Sequence, residues 1–310
     1  MFEKKIKVLS FGELLWDQFG DKQEIGGAPF NFSAHLVRLG AQVELISAVG
    51  NDLLGNTTLE MICKFNIETN YVSVSSYPTG VCQVTTNHLG FPSYGLKEEV
   101  TYDNIILTDE QIKHIVNDYN VFYYGTLAQR SDISRNTLNT ILSSCKFNEI
   151  FCDLNIRQKY YNIEMIENCL THCTILKVSR EEYLILEELD IVQIKRIDYK
   201  NEYDFSLALC KTLNEKYHIK IIIITMDKDG AMLYQSDNNE IVISEKPRNK
   251  VVSTVGAGDS FSACFLYNYL QKVNLNECIN RAVELSDFVV TALGAVPEYP
   301  SDLLERISKF

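Results

Sequence analysis

Apolar positions along the chain follow two periods. Nearly continuous apolar runs at residues 6–11, 43–49, 121–124, 149–153, 174–178 and 220–226 read as strands buried on both faces. Between them, residues 29–39, 52–65, 134–144, 163–173 and 205–217 carry apolar side chains at helical spacing. In the first of these helices Phe30, Ala34, Leu36 and Val37 form the apolar stripe, with Pro29 suited to the first turn and Gly40 to the end. Such alternation predicts a mostly parallel central sheet with helices on both faces, a three-layer α/β/α sandwich.

Two segments break the alternation. Residues 14–25 hold the turn-like pair Asp21-Lys22 between two short extended runs. Residues 71–106 hold three extended runs, at 71–75, 82–87 and 100–106, separated by Gly80, Gly90, Pro92 and Gly95. Both read as antiparallel. They predict a small β lid, drawn from about 12–27 and 71–106, over the C-terminal edge of the main sheet. The alternative is an antiparallel extension of that sheet's edge.

Composition narrows the class. The 310 residues are 46% hydrophobic, with 15 Gly and 6 Pro and no low-complexity tract, enough for a sizeable core and read as a single domain over 1–310. Lys and Arg number 29 against 41 Asp and Glu, a net charge of −12, so neither nucleic acid nor an anionic membrane is an expected partner. The nine cysteines form no C-x-x-C pair, and Cys169 and Cys173 stand one helical turn apart without a set of His partners, which reads as reduced thiols rather than a zinc site. Residues 1–5 run directly into the first strand without an apolar leader segment, and the longest apolar runs fall far short of the ~20 residues that span a bilayer; a cytoplasmic protein is expected.

The strongest chemical signal is Val251-Val252-Ser253-Thr254-Val255-Gly256-Ala257-Gly258-Asp259-Ser260-Phe261. A strand end, a Gly256-Ala257-Gly258 turn and an amphipathic run from Asp259 let backbone N–H groups at a helix start converge on an anion. Asp259 beside such an anion hole is a poor phosphate ligand but a well-placed base for a hydroxyl attacking phosphorus. An acidic first-turn residue after a glycine turn is the plain structural alternative. A Walker A loop, a G-x-G-x-x-G after the first strand, H-E-x-x-H and G-x-S-x-G are all absent, which disfavours P-loop, dinucleotide, zinc-protease and serine-hydrolase chemistry. The second signal is Gly26-Gly27-Ala28-Pro29-Phe30-Asn31: paired glycines permit close backbone approach, and Asn31 can donate to and accept from a polyol. Upstream, Gly12-Glu13-Leu14-Leu15-Trp16-Asp17 puts Asp17 just past the first strand, at the edge where open α/β sheets bind ligands.

Together these motifs resemble the ribokinase-type (PfkB) carbohydrate kinases. Gly26-Gly27-Ala28-Pro29-Phe30-Asn31, Arg38-Leu39-Gly40, Gly50-Asn51-Asp52-x-x-Gly55 and Thr254 to Asp259 match the two family signatures, Gly294-Ala295 matches near the end, and the resemblance covers nearly the whole chain. Gly12 to Asp17, Pro92-Ser93-Tyr94, Tyr124-Gly125-Thr126-Leu127-Ala128-Gln129-Arg130 and Asp153-Leu154-Asn155-Ile156-Arg157 look most like fructokinases. The resemblance implies a ribokinase-like fold and transfer of the ATP γ-phosphate to a sugar's primary hydroxyl, with fructose the first acceptor. It implies Asp259 as base, Gly256, Ala257 and Gly258 as anion hole, and Asp17, Gly27, Asn31 and Arg157 as sugar contacts. Thr225, Gly230 and Thr254, with Gly256 and Gly258, would line the nucleotide pocket, and Glu182 would order water around Mg2+.

Three positions depart from the family pattern. Ser253 stands where an Asp commonly helps to bind a monovalent cation, so a potassium requirement is not carried over. Ser179 replaces an Asn three residues before Glu182, loosening the expected hold on magnesium. Met226-Asp227 replaces a small pair after Thr225, and Asp227 would oppose ATP phosphates unless it points away. A homodimer through an apolar lid face is a further expectation. The rival readings are the same kinase with another acceptor (ketodeoxygluconate, another hexose, a nucleoside) and a sugar-binding regulator with weak turnover.

Overall fold

A computed structural model describes residues 6–86 and 92–309. Residues 1–5 and 87–91, among them Gly90 and the end of the expected strand 82–87, lie outside that description, as do the side chains of Pro92, Ser93 and Tyr94. In chain order the elements begin β1 (Lys7–Phe11), β2 (Leu15–Phe19), β3 (Lys22–Gly26), α1 (Ala28–Arg38), β4 (Gln42–Gly50), α2 (Leu53–Lys64), β5 (Glu68–Ser75), β6 (Gly80–Thr86) and β7 (Pro92–Leu96). They continue α3 (Asp109–Asp118), β8 (Val121–Tyr124), α4 (Asp132–Ser144), β9 (Glu149–Asp153), α5 (Ile163–His172), β10 (Ile175–Ser179), α6 (Arg180–Glu188) and α7 (Glu202–Tyr217). The last are β11 (Ile221–Thr225), β12 (Ala231–Gln235), β13 (Glu240–Ile243), α8 (Ala257–Leu270), α9 (Leu275–Val289) and α10 (Ser301–Ser308).

The large sheet runs β13-β12-β11-β10-β9-β8-β1-β4-β5. From β11 to β5 every pair is parallel; β12 and β13 add an antiparallel hairpin at one edge. Alternation explains why these strands read as continuous apolar runs: in β11, Ile221 and Ile223 face one side and Ile222 and Ile224 the other. The first side packs on Phe32 and Leu36 of α1, Phe261 and Phe265 of α8 and Ile279 of α9. The second packs on Leu138 of α4, Leu170 of α5, Leu186 of α6 and Leu209 of α7. Helices therefore cover both faces, as the periodicity predicts.

The second sheet is separate, in the order β3-β2-β6-β7. It corrects three expectations. Residues 71–75 belong to β5, which pairs parallel with β4 at the edge of the large sheet. Residues 100–106 form no strand: Thr101–Asn104 is a 3-10 turn, closed by the Val100 N–H donating to the Asp103 carboxylate at 3.2 Å. Within the small sheet β2 and β6 run parallel, so only the outer pairs are antiparallel. Asp52 explains how the two sheets are tied: it caps α2 through the Gly55 N–H (2.7 Å) and accepts both the N–H (2.8 Å) and the hydroxyl (2.7 Å) of Thr79, just ahead of β6.

Candidate active site

The parallel strands end along one edge of the large sheet, where a cavity of about 310 Å³ opens between that edge, the small sheet and the N-termini of α1 and α8. Its polar lining comprises Glu13 after β1, Asp17 on β2, Asn31 on α1, Asp153 at the end of β9 with Asn155, Arg157 and Gln158 after it, Lys177 on β10, and Thr254 and Asp259 flanking the glycine turn. A larger hollow of about 700 Å³ lies between the 245–249 loop, α9 and α10. Its arginines are already paired, Arg248 with Glu245, Arg281 with Glu277 and Arg306 with Glu284 and Asp302, so the polar convergence is in the smaller cavity.

The glycine turn sets the geometry around Asp259. Gly256 is the N-cap of α8 with φ 80°, and a Cβ there would lie 2.5 Å from the Ala295 carbonyl oxygen, so neither the backbone nor the space admits a side chain. The Ala257 N–H bonds back to Thr254 O (3.3 Å), and the Ser260 N–H is the first to reach a carbonyl at the helix start, Gly256 O at 2.9 Å. The Gly258 and Asp259 N–H groups fall between them in the first turn, where helix amides lack intrahelical partners. Asp259 is 9% exposed, and its Oδ2 accepts a 2.8 Å hydrogen bond from Asn31 Nδ2, across 228 residues of sequence. Burial pushes its pKa up to about 6; the Asn31 bond opposes that and the nearby Asp153 adds to it.

The opposite wall is rich in carboxyl groups. Glu13 is 4% exposed, takes the Ala28 N–H on Oε1 at 3.1 Å and is raised by burial to about 7, with its own and the Ala28 N–H groups and Arg157 opposing. Gly27, at φ 104°, lets α1 start directly against the Glu13 backbone. Asp17 pairs in register with Cys82 of β6, and burial raises its pKa. Arg157 is exposed at the mouth, and among the described residues its guanidinium has no hydrogen-bond or ion-pair partner.

Sequence reasoning assigned no role to Glu13, Asp153 or Lys177. Asp153 and Lys177 are cross-strand neighbours on β9 and β10, joined by Nζ bonds of 2.8 and 3.0 Å to the two carboxylate oxygens. Ser262 of α8 donates to the same carboxylate at 2.9 Å. The sequence did carry a signal: a lysine in the middle of the otherwise buried strand Ile-Leu-Lys-Val-Ser needs a buried partner.

Of the expected site residues, Asp17, Gly27, Asn31, Arg157, Thr254, Gly256, Gly258 and Asp259 line this cavity, and Ala257 lies within its glycine turn. Thr225 and Gly230 do not; Thr225 ends β11 in register with Ser179, farther along the same edge, and Gly230 (φ 86°) closes the turn into β12. Glu182 does not line this cavity either. Its two oxygens accept the Ser179 N–H and the Ile156 N–H, each at 2.7 Å, so it closes the capping box of α6 and anchors the loop after β9. Among the described residues no group of three or more His, Cys, Asp or Glu is arranged to hold a metal. A magnesium ion carried by nucleotide phosphates and water does not need such a group. Arg130, part of the fructokinase-like run, is structural: it forms a bidentate pair with Asp103 (2.7 and 2.8 Å) between the rings of Tyr102 and Tyr160.

Residues 2–302 match the pfkB family carbohydrate kinase model. The chain belongs to this family. It is 25% identical, over 96% of its length and 92% of the relative's, to the ATP-dependent 6-phosphofructokinase of Thermoanaerobacterium thermosaccharolyticum. Among solved structures it resembles the 2-dehydro-3-deoxygluconokinase of Thermotoga maritima (TM-score 0.81, 18% identity, covering 98% of this chain and 100% of that one). It also resembles a fructokinase of Xylella fastidiosa solved with bound ATP (TM-score 0.78, 19% identity, 98% of both chains). The fold is ribokinase-like and the protein is a sugar kinase of the pfkB family, a phosphotransferase with an alcohol acceptor. No helix among the described residues is long and apolar enough to cross a membrane.

Proposed function

We propose that this kinase transfers the γ-phosphoryl group of ATP to the primary hydroxyl of a ketose, fructose being the first candidate, with Asp259 as the general base. The observation that carries the reading is the placement of Asp259: a buried carboxylate, oriented by one hydrogen bond from Asn31, in the first turn of a helix whose N-terminal residues Gly256 and Gly258 line the same cavity. As the acceptor oxygen bonds to phosphorus, its proton passes to an Asp259 oxygen and the bond between the γ-phosphorus and the β,γ-bridging oxygen breaks, releasing ADP. The amides around Gly256, Ala257 and Gly258 stabilise the charge on the transferred group, by about 3–4 kcal/mol for a well-aimed donor. Asp17, Gly27, Asn31 and Arg157 contact the acceptor. The nucleotide extends along the sheet edge past Thr254 towards Thr225 and Gly230. Mg2+ would accompany the ATP phosphates with water completing its shell, and Glu182 would reach it only through that water.

The small sheet serves as a lid that excludes water from the transfer, within one catalytic domain spanning 1–310. Its outer face pairs two chains as a homodimer, which a monomeric mass in light scattering at micromolar concentration would disprove. The protein works in the cytoplasm, where its cysteines, free throughout the described residues, stay reduced.

One observation favours a second acceptor class. The unpaired Arg157 guanidinium suits an acceptor bearing a carboxylate or phosphate, such as ketodeoxygluconate or a sugar phosphate. ADP release with MgATP, measured over fructose, fructose 6-phosphate, ketodeoxygluconate, other hexoses, ribose and nucleosides against an acceptor-free blank, decides between them. Asp259→Asn should lower turnover with the best acceptor by about 10²–10⁴-fold; more than a tenth of wild-type turnover would remove Asp259 as base. Binding of an acceptor without transfer above the blank would instead favour a sugar-binding regulator.

A further inference from the structure

Lys177 is an unusual presence. It sits in the middle of a buried strand, is 6% exposed, and still contributes to the cavity lining. An ammonium has three donors, and two of them are engaged by the Asp153 oxygens at 2.8 and 3.0 Å. Asp153 lies in turn beside the Ser262 hydroxyl, whose single proton is shared between Asp153 Oδ2 and the Gly258 carbonyl, each at 2.9 Å, so the pair sits against the first turn of α8. A Cβ built on Gly258 would lie 3.3 Å from Lys177 Nζ. The ammonium thus stands directly against the glycine turn, and position 258 is kept clear of a side chain on that side. The charged groups that act on it are Asp153, Glu182 and Asp259; burial opposes its charge, but these carboxylates keep its pKa raised.

We propose that Lys177 is a further catalytic residue, one whose third N–H donates to a non-bridging oxygen of the transferred phosphoryl group as that group sits over the glycine turn. The assignment rests on the kinase reading above. Lys177 keeps its proton throughout: the only proton that moves is the acceptor's, to Asp259, and the lysine supplies a fixed charge and one hydrogen bond. Asp153, with Ser262 beside it, anchors this cation from behind while leaving it its charge.

The test separates nucleotides with and without the γ-group. Wild type, Lys177→Met, Lys177→Arg and the double variant Lys177→Met/Asp153→Asn, which leaves no unpaired carboxylate, are titrated calorimetrically with the magnesium complexes of AMP-PNP and ADP. Lys177→Met and the double variant should lose about tenfold or more in AMP-PNP affinity, the usual worth of a charge-assisted hydrogen bond, with ADP affinity unchanged within about twofold. Lys177→Arg should recover part of the difference. Equal losses for both nucleotides, no loss for either, or collapse of the fold in both Met variants would make Lys177 a structural residue and overturn the assignment. Acceptor-dependent ADP release by the wild type is followed in parallel. If it fails for every acceptor the kinase reading falls, while the AMP-PNP to ADP ratio still judges Lys177.

Discussion

Replacing Asn31 with Leu removes one donor from Asp259 while keeping a side chain of similar volume to exclude water. In the folded protein the Asn31 Nδ2 bond of 2.8 Å is the only side-chain hydrogen bond to the Asp259 carboxylate among the described residues, and Asn31 Oδ1 has no partner, so the substitution frees no other group. A hydrogen bond to a buried charge contributes about 1.5–3 kcal/mol. At about 1.4 kcal/mol per pH unit, its loss should raise the Asp259 pKa from about 6 by roughly one to two units. The direction is fixed by chemistry: the lost donor favoured the ionised form, and only that form accepts the acceptor's proton. In a pH profile of kcat/KM the acid limb should therefore move upward. Near pH 6 the lost ionisation should make the variant about 5–50-fold slower than wild type, and the deficit should shrink to a few-fold above about pH 9. An acid limb that stays in place, or a deficit that is uniform across pH, would refute Asp259 as the titrating base held by Asn31.

Other substitutions test neighbouring parts of the argument. Gly256→Ala places a side chain at φ 80° and 2.5 Å from Ala295 O; it should lose at least about 1–2 kcal/mol in urea denaturation, and an unchanged midpoint would show that the turn tolerates a Cβ. Arg130→Met leaves Asp103 buried without its partner in a pair whose side chains are 6% and 10% exposed. It should cost about 3–5 kcal/mol, with much of the loss recovered by adding Asp103→Asn. Glu13→Gln tests linkage: burial raises the folded-state pKa of Glu13 from 4.5 to about 7, so the folded state favours the protonated form and that contribution is lost as pH rises through this window. The variant should gain stability relative to wild type from pH 4.5 to 7, by up to about 3 kcal/mol, and a pH-independent difference in urea midpoints would contradict the burial argument.

What the sequence revealed was local. The turn at Gly256 to Gly258 with Asp259 behind it is legible because glycine and helix-start chemistry act within a few residues. The parallel sheet is legible because strands buried on both faces must be apolar at every position. Contacts across long sequence separations were not legible. Nothing near Asn31 indicates Asp259, and the partnership of Lys177 with Asp153 depends on the register of β9 against β10. The membership of β5 was missed for a related reason. An edge strand with one solvated face has the same mixed pattern in either sheet, so local polarity leaves its partner open. The Gly50-Asn51-Asp52-x-x-Gly55 run was readable as a family signature but not as a bracket, because its partner, Thr79, lies beyond an intervening helix and strand. At Glu182 the spacing from Ser179 fits a capping box as well as a metal shell, and the capping box forms, with the Ile156 amide, from beyond the helix, as a second donor.

The cavity divides into two electrostatic halves, and the proposed reaction needs both. Glu13, Asp17 and Asp259 with the Asn31 amide form an acceptor side rich in hydrogen-bond acceptors, suited to a polyol whose hydroxyls can all donate. On the other side the first turn of α8 and the Lys177 ammonium present donors and positive charge, suited to phosphoryl oxygens. Fully ionised, Glu13, Asp17, Asp153 and Asp259 outnumber Lys177 and Arg157 and would repel a polyanionic nucleotide. Burial counters this at Glu13, raised to about 7 and so part-protonated near neutrality, while Asp259, raised only to about 6, stays largely ionised and able to accept a proton. Asp259 lies on the boundary between the halves. A proton arriving there from the acceptor hydroxyl removes negative charge next to the group that is gaining it, which is where a base for phosphoryl transfer has to stand.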